Sequence, residues 1–166
     1  MNKNKILTPV LHSMAEGYQK QLNKYRAMLK LAHKQQECAE ENDMVKLEEV
    51  IFARQKLIKE LDEMNRSLRP LRDGIVDSLG LQEFSSSAIL KALPTKAAEE
   101  LAQVLGELGE ILYTIKEMDE LNEKLLKDKL TRVNNDLNTA QKKQASQRVY
   151  SKKNVQKPGE NFNETK

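Results

Sequence analysis

The feature that most constrains this chain is a long stretch, residues 95–147, that no proline interrupts. Leu101, Leu108 and Ile115 recur every seven residues, and further apolar residues fall between them, so that one face of a helix would be apolar. Residue types that favour helices fill most of the remaining positions. A helix of this length would span roughly 75–80 Å. The stretch therefore predicts a helix that needs other long helices, or a partner, to cover its apolar face.

The composition favours long helices over a compact enzyme. Of the 166 residues, 32% are charged and only 4% are aromatic, and tryptophan is absent. Such a chain lacks the bulky residues that wall a concave pocket. The sequence shows no phosphate-binding loop or nucleophile motif, and His33 with Glu37 fits a surface pair better than a metal site. We therefore expect a protein that is not an enzyme and binds no cofactor or metal.

The sequence also bears on location and charge. Cys38 is the only cysteine, so no internal disulfide and no cysteine metal site is expected. The N-terminal residues have no apolar core of signal-peptide length, and no segment approaches the apolar length of a membrane span. We expect a cytoplasmic protein without stable membrane insertion. The net charge is +3 overall, but residues 141–166 hold seven Lys or Arg against two Glu.

Two helices are predicted before the long one. The first begins at Thr8 and Pro9, as N-cap and first helical residue, and covers about 9–41. The second covers about 44–79, with Pro70 expected to kink or break it near Arg66, and Gly80 as its C-terminal cap. Arg54 lies in the core register of this helix, where its stem can pack while its guanidinium reaches the edge. Asn42 and Asp43 favour a turn between the two helices, although one continuous helix is the alternative.

A connector joins the second helix to the long one. Serines 85–87 can cap a short helix over 86–93, whose apolar residues would close the end of a bundle, and Thr95 can cap the long helix. Gly106 and Gly109 are interpreted as points of close helix approach. Residues 1–147 thus predict an all-α fold, an elongated antiparallel helical hairpin or three-helix coiled-coil bundle. Residues 148–166 predict a disordered, flexible basic tail.

The apolar stripe of the long helix changes character after Ile115. Its seven-residue row continues with Asn122, Lys129 and Asp136, while the neighbouring row keeps Leu125 and Leu126. A coiled coil that fades toward a solvated end and a surface for a partner helix explain this equally well, because a polar core position often sets helix register.

Three segments carry a resemblance to a known family. They are the run CAEENDMVKLEEVIFARQKLIKELDEM, the run IKEMDELNEKLLKDKL, in which Asn122 stands three residues before Leu125-Leu126, and Tyr150 ahead of a basic stretch and Gly159. With these segments the chain resembles the FlgN family of flagellar type III export chaperones.

The resemblance implies a function and partners. Proteins of this family bind the hook-associated proteins FlgK and FlgL, hold their C-terminal helical segments, prevent premature assembly and deliver them to the export gate. We expect Tyr150 to dock on the export gate, the alternative being an incidental tail tyrosine or one that packs on the bundle. The client-binding residues expected on the long helix are Leu121, Asn122, Leu125, Leu126 and Leu130, with Tyr113 a weaker candidate.

Two other classes of function remain open from the sequence. The first is a coiled-coil scaffold that self-associates, with a homodimer burying the stripe. The second is a binder of nucleic acid or of a membrane surface through the basic tail. The tail lacks aromatic residues interleaved with a dense basic run, so we expect no nucleic-acid partner.

Overall fold

A computed structural model of the chain describes the backbone of residues 2–163 and the side chains of residues 2–151. Over this range the fold is all-α, and no strand occurs in it. The chain divides into two compact units, Met1–Glu123 and Lys124–Lys166. Among the described residues, no helix is long and apolar enough to cross a membrane. The four helices are α1 (Lys3–Glu40), α2 (Met44–Leu79), α3 (Ser86–Ala92) and α4 (Lys96–Asn163).

The chain turns between α1 and α2 at the residues that the sequence favours for a break. Asn42 adopts a left-handed backbone conformation, with φ of 57°, which asparagine tolerates better than most residues. The Asp43 carboxylate then accepts a hydrogen bond of 3.1 Å from the Lys46 amide and caps α2. Gly80 ends α2 with φ of 63°, the left-handed C-terminal cap that was predicted.

The first helix begins earlier than the sequence suggests. It starts at Lys3, so Pro9 lies inside α1 and Thr8 is not its N-cap. The Thr8 hydroxyl instead donates a 2.6 Å hydrogen bond to the Asn4 carbonyl. Leu7 is buried in the core. Burying this side chain stabilises the extra turns and offsets the backbone hydrogen bond that Pro9 cannot donate.

Proline does not break the second helix. Pro70 lies within α2, which continues to Leu79. Leu68 and Ile75 flank it in sequence, and both are buried in the same apolar cluster. Packing on both sides of the proline therefore holds the helix together across the missing amide hydrogen. The break expected near Arg66 is wrong.

Within the unit Met1–Glu123 the long helices alternate in direction. The α1–α2 pair is antiparallel, since Lys24 Nζ lies 2.7 Å from Glu60 Oε2, and a Cβ on Gly17 would lie 2.8 Å from Leu68 Cδ2. The α4 segment of this unit runs parallel to α1. His12 lies 3.4 Å from Glu100, and further along the Asn122 amide reaches the Ala32 carbonyl. Supercoiling of these helices as a coiled coil stays a prediction.

The connector closes one end of this unit, as the sequence predicts. Ser85 caps α3 by accepting a hydrogen bond from the Ala88 amide, and Thr95 caps α4 in the same way through Ala98. Phe84 stacks on Tyr18, with 6.2 Å between ring centroids. The main core lies here and draws on all four helices: Leu7, Leu11, Met14, Tyr18, Leu22, Leu68, Ile75, Ile89, Leu93, Ala97, Ala98, Leu101 and Leu108.

Close helix approach occurs at a different glycine from those predicted. A Cβ added to Gly106 or Gly109 would meet nothing within 4 Å, so that interpretation is wrong. At Gly17, by contrast, a Cβ would lie 2.8 Å from Leu68 Cδ2. Gly17 therefore lets the buried Leu68 side chain sit directly against the backbone of α1.

The last helix is longer than predicted. It extends to Asn163, whereas the sequence places its end at about 147. Flexibility of residues 148–166 stays a prediction. Gly159, the last residue of the third segment that carries the family resemblance, lies outside the residues whose side chains are described. Residues 164–166 lie outside the described backbone.

Candidate functional site

Of the predicted client-binding residues, Asn122 is buried in the core. Its side chain is only 2% exposed, and its Nδ2 donates a 2.9 Å hydrogen bond to the Ala32 carbonyl of α1. Its Oδ1 is buried and has no hydrogen-bond partner among the described residues. Burying an amide oxygen without a hydrogen-bond partner lowers the stability of the fold. The hydrogen bond from Asn122 to Ala32 fixes α4 against α1 in one register, as polar residues at core positions do.

A second polar group joins three helices close to this position. Arg54 of α2 donates a 2.6 Å hydrogen bond from Nη1 to Gln35 Oε1 of α1. Its Nη2 lies 2.7 Å from Asp119 Oδ1 of α4, an ion pair without hydrogen-bond alignment. The Arg54 side chain is 13% exposed and also contacts Met28 through Nε. The guanidinium is therefore a cross-link between helices, which the sequence alone placed only at the core edge.

Two candidate residues of the first unit are exposed. Leu121 and Tyr113 present 57% and 65% of their surface to solvent. A hydrogen bond to Glu117 raises the pKa of the Tyr113 hydroxyl. Neither side chain belongs to a core cluster. Both are free to contact another molecule.

The remaining candidates lie in the second unit, Lys124–Lys166. Leu125 and Leu126 are half-buried, and Leu130 is 62% exposed. Two further apolar side chains, Val133 and Leu137, are also more than half exposed. Steps of four, three and four residues place one row of these on a single face of α4. We call this row the C-terminal stripe; its members are Leu126, Leu130, Val133 and Leu137.

Sequence reasoning missed Val133 and Leu137 because it extended a strict seven-residue repeat. That repeat leads from Asn122 to Lys129 and Asp136, which are polar. The apolar signal instead follows steps of seven and four, as in Leu126, Val133 and Leu137. Such an eleven-residue period stays on one side of a straight helix for longer than a heptad does. Counting both periods would have identified the stripe.

The surface around the C-terminal stripe is basic. Residues 124–151 contain seven Lys or Arg and two Asp, a net charge of +5. A positive field of this kind attracts acidic partners and raises their association rate. The second unit thus offers an apolar row within a cationic surface.

Tyr150 is strongly exposed. It lies inside α4 rather than past a helix end, and 70% of its surface faces solvent. Val149 beside it is also more than half exposed. The Tyr150 ring therefore makes little contact with its own unit among the described side chains. The side chains of Lys152 and Lys153, expected beside it, lie outside the described residues.

In the part of the chain whose side chains are described, no three His, Cys, Asp or Glu residues come together as metal ligands would. The exposed residues of α4 provide apolar and electrostatic contact along a helix. Such surfaces bind other helices by burying apolar residues in rows.

Comparison with known proteins identifies a family. The model of the FlgN protein family matches residues 10–158, which is most of the chain. No curated protein and no solved structure matches it. The matched range includes α2, the buried Asn122, the C-terminal stripe and Tyr150. Membership of this family indicates, in general terms, a flagellar export chaperone that binds hook-associated proteins. The chain belongs to the FlgN family.

Proposed function

We propose that this protein is a cytoplasmic chaperone that holds helical segments of FlgK- or FlgL-like hook-associated proteins and delivers them to the type III export gate. The family match supports the general role. The observation that carries the specific proposal is the C-terminal stripe, an exposed apolar row on a helix. No catalytic step is part of this role.

The stripe suits an amphipathic helix as its ligand. A helix that lays its apolar face on Leu130, Val133 and Leu137 would remove these half-exposed side chains from water. Each such anchor contributes roughly 1.5–3 kcal/mol when fully buried. Leu126, half-buried, is the first residue of this row, and the half-buried Leu125, about 100° around the helix from it, would contact the edge of the client helix. Holding the client's helical segment in this way would keep it from assembling before export.

The surrounding charge bears on the client's chemistry. The net charge of +5 over residues 124–151 favours a client helix whose polar face is acidic. Charge of this kind acts mainly on the association rate and on the choice of partner, whereas the apolar anchors determine residence time. We therefore propose an acidic amphipathic helix as the client segment.

The other two client-binding candidates play different parts in this proposal. Asn122 acts through the core, because its amide holds α4 to α1 and does not face solvent. Leu121, exposed on the first unit, is a separate client contact. Neither residue is needed for the contact at the C-terminal stripe.

Tyr150 is the proposed export-gate contact. An exposed tyrosine supplies a large contact area with only two side-chain torsions to fix on binding. Because the ring is 70% exposed, removing it should leave the chain's own stability unchanged. A loss of gate binding without a loss of stability would therefore distinguish a docking role of Tyr150 from a structural role.

The client contact can be tested with Leu125→Asp combined with Leu126→Asp. Loss of two apolar anchors should weaken the complex with the FlgK- or FlgL-like protein of the same bacterium by about 100-fold or more. Isothermal titration calorimetry of the purified proteins measures this loss. Circular dichroism should show unchanged helix content, because the two residues belong to neither core cluster. A variant that unfolds would show instead that these leucines are structural.

The gate contact can be tested with Tyr150→Ala. We expect an unchanged melting temperature and client affinity, together with reduced binding to the export gate and reduced secretion of the client. The control for gate binding is Tyr113→Ala, which removes a tyrosine of similar exposure from the first unit and should leave gate binding as in the parent. Parental gate binding and secretion in Tyr150→Ala would refute the docking role. A melting temperature several degrees lower would show that the ring packs on the fold.

A further inference from the structure

A second exposed apolar surface lies on α2, on the side that faces away from the core. Phe52 and Val45 are 70% and 71% exposed, the highest values among the large apolar side chains of the unit Met1–Glu123. Met44, Ile51 and Ile58 beside them are also exposed. We call these five residues the α2 patch. Neither the family match nor the proposed client contact accounts for it.

The geometry of α2 explains why the patch stays uncovered. Leu47, Val50 and Leu61 are buried, and Leu61 packs against Met28 of α1 and Ile115 of α4. Phe52 follows Val50 by two residues, about 200° around a helix, so its ring points to the opposite side. Val45 and Phe52 are seven residues apart and share one face. An exposed row of this kind, with one large aromatic at its centre, marks an interaction surface.

The exposed charges nearest Phe52 are segregated by sign. Glu48 and Glu49 lie on the N-terminal side of Phe52, and Lys56 and Lys59 lie on its C-terminal side. All four side chains are exposed. A second α2 laid parallel would place like charges together. A second α2 laid antiparallel, with Phe52 near the two-fold axis, would place each acidic pair against the partner's basic pair.

We propose that the α2 patch binds a second copy of this chain through an antiparallel, two-fold α2–α2 contact. In a two-fold contact the same surface is used by both copies, so that surface must be complementary to its own rotated copy. The α2 patch, with its acidic and basic pairs on either side of Phe52, meets this requirement. Glu49 would face Lys56 of the second copy, and Glu48 would face its Lys59. Apolar residues at the centre with charges alongside are the usual arrangement of paired helices. The proposal is independent of the client contact on α4.

The expected dimer is weak. Two helical stretches of about 16 residues bury on the order of 1,000 Å² in total, which is the size of transient rather than permanent interfaces. We expect a dissociation constant on the order of 10–100 µM. The dimer would then form at high local concentration and dissociate on dilution.

Sedimentation equilibrium of the full chain, from about 5 to about 500 µM, measures this association. We expect a monomer–dimer equilibrium that Phe52→Asp weakens at least tenfold. Tyr113→Asp is the matched control, since it charges an exposed aromatic on α4 and should leave the dimer unchanged. Circular dichroism of both variants checks that helix content is kept. A parent chain that stays monomeric throughout, or a dimer that Phe52→Asp does not affect, would overturn the proposal.

Charge reversal tests whether these four charges face each other across the contact. One variant carries Glu48→Lys with Glu49→Lys, and the other carries Lys56→Glu with Lys59→Glu. Each variant alone should lose dimerisation, because like charges would then face each other. An equal mixture should regain it as a heterodimer, since every facing pair becomes opposite in sign. If the mixture stays monomeric, the antiparallel pairing is wrong. If the variants lose client binding and the parent never dimerises, the patch binds a client instead.

Discussion

At the scale of single residues, the polar side chains inside the first unit set the helix register. Arg54 was expected from the sequence to pack its stem in the core and reach the edge with its guanidinium. The structure shows it bonded to Gln35 and paired with Asp119 instead. Its partners lie 19 and 65 positions away in the chain, and no sequence period relates such distant positions. The residue type was therefore predictable, but its contacts were not.

Replacing Arg54 by Met should lower the free energy of unfolding by about 1–3 kcal/mol, because Gln35 loses its charged donor and Asp119 its counterion. The methionine retains the packing of the stem. Urea denaturation followed by circular dichroism measures the change.

The matched control is Arg26→Met. Arg26 lies 3.6 Å from Glu107, and both side chains are largely exposed. Exposed ion pairs contribute little, so this variant should stay within about 0.5 kcal/mol of the parent. Equal effects at Arg54 and Arg26 would contradict a structural role for the Arg54 cross-link.

Asn122 shows the same limit of sequence reasoning. Its polar side chain at a core heptad position was visible in the sequence, and two explanations were open there. Its hydrogen bond to the Ala32 carbonyl, 90 positions away, favours the register-setting explanation. The neighbouring Leu125 and Leu126 belong to the second unit and are half-buried. Asn122 and the two leucines a few positions after it thus lie in different environments.

At the scale of the helices, caps and turns were the most predictable features, with the exception of Thr8, which lies inside α1. Asp43, Gly80, Ser85 and Thr95 act locally, within a few residues, so their roles follow from residue type and order. Proline and glycine inside helices were predicted less well. Their effects depend on what packs against them, and that information lies in other parts of the chain.

The glycines of α1 and α4 allow a direct test. Glycine to alanine in a helix interior should stabilise the fold by about 0.5–1 kcal/mol where space is free. Gly106→Ala should show this gain, because its new methyl group meets nothing within 4 Å. Gly17→Ala should show no gain or a loss, because its methyl group would clash with the buried Leu68. Thermal and urea unfolding of the two variants measure the difference.

A double-mutant cycle isolates the contact at Gly17. Combining Gly17→Ala with Leu68→Ala removes the clash, so the alanine at position 17 should regain its helix-favouring contribution in that background. The same small gain for Gly17→Ala with and without Leu68 would show that the two helices do not approach closely there.

At the scale of the whole molecule, composition was sufficient for the fold class. Few aromatics, many charges and long apolar periods predict helices, and the described residues form four of them. The family was also recognisable from sequence, and the match over residues 10–158 confirms it. The full extent of the exposed apolar rows was not recognisable from the sequence, because exposure depends on which residues the other helices cover. Val133, Leu137 and Phe52 became notable only once their exposure was known.

We propose that one face of α4 in the second unit binds a client helix. It is tested most directly by adding the same two charges to opposite faces of that helix. Val133→Asp with Leu137→Asp charges the C-terminal stripe, whereas Asn135→Asp with Thr139→Asp charges the far side, about half a turn away around the helix. Calorimetric titration with the FlgK- or FlgL-like client should show at least a 100-fold loss of affinity for the first variant. The second should bind within about threefold of the parent, apart from a modest effect of charge on association. Equal affinities for the two variants would contradict the account.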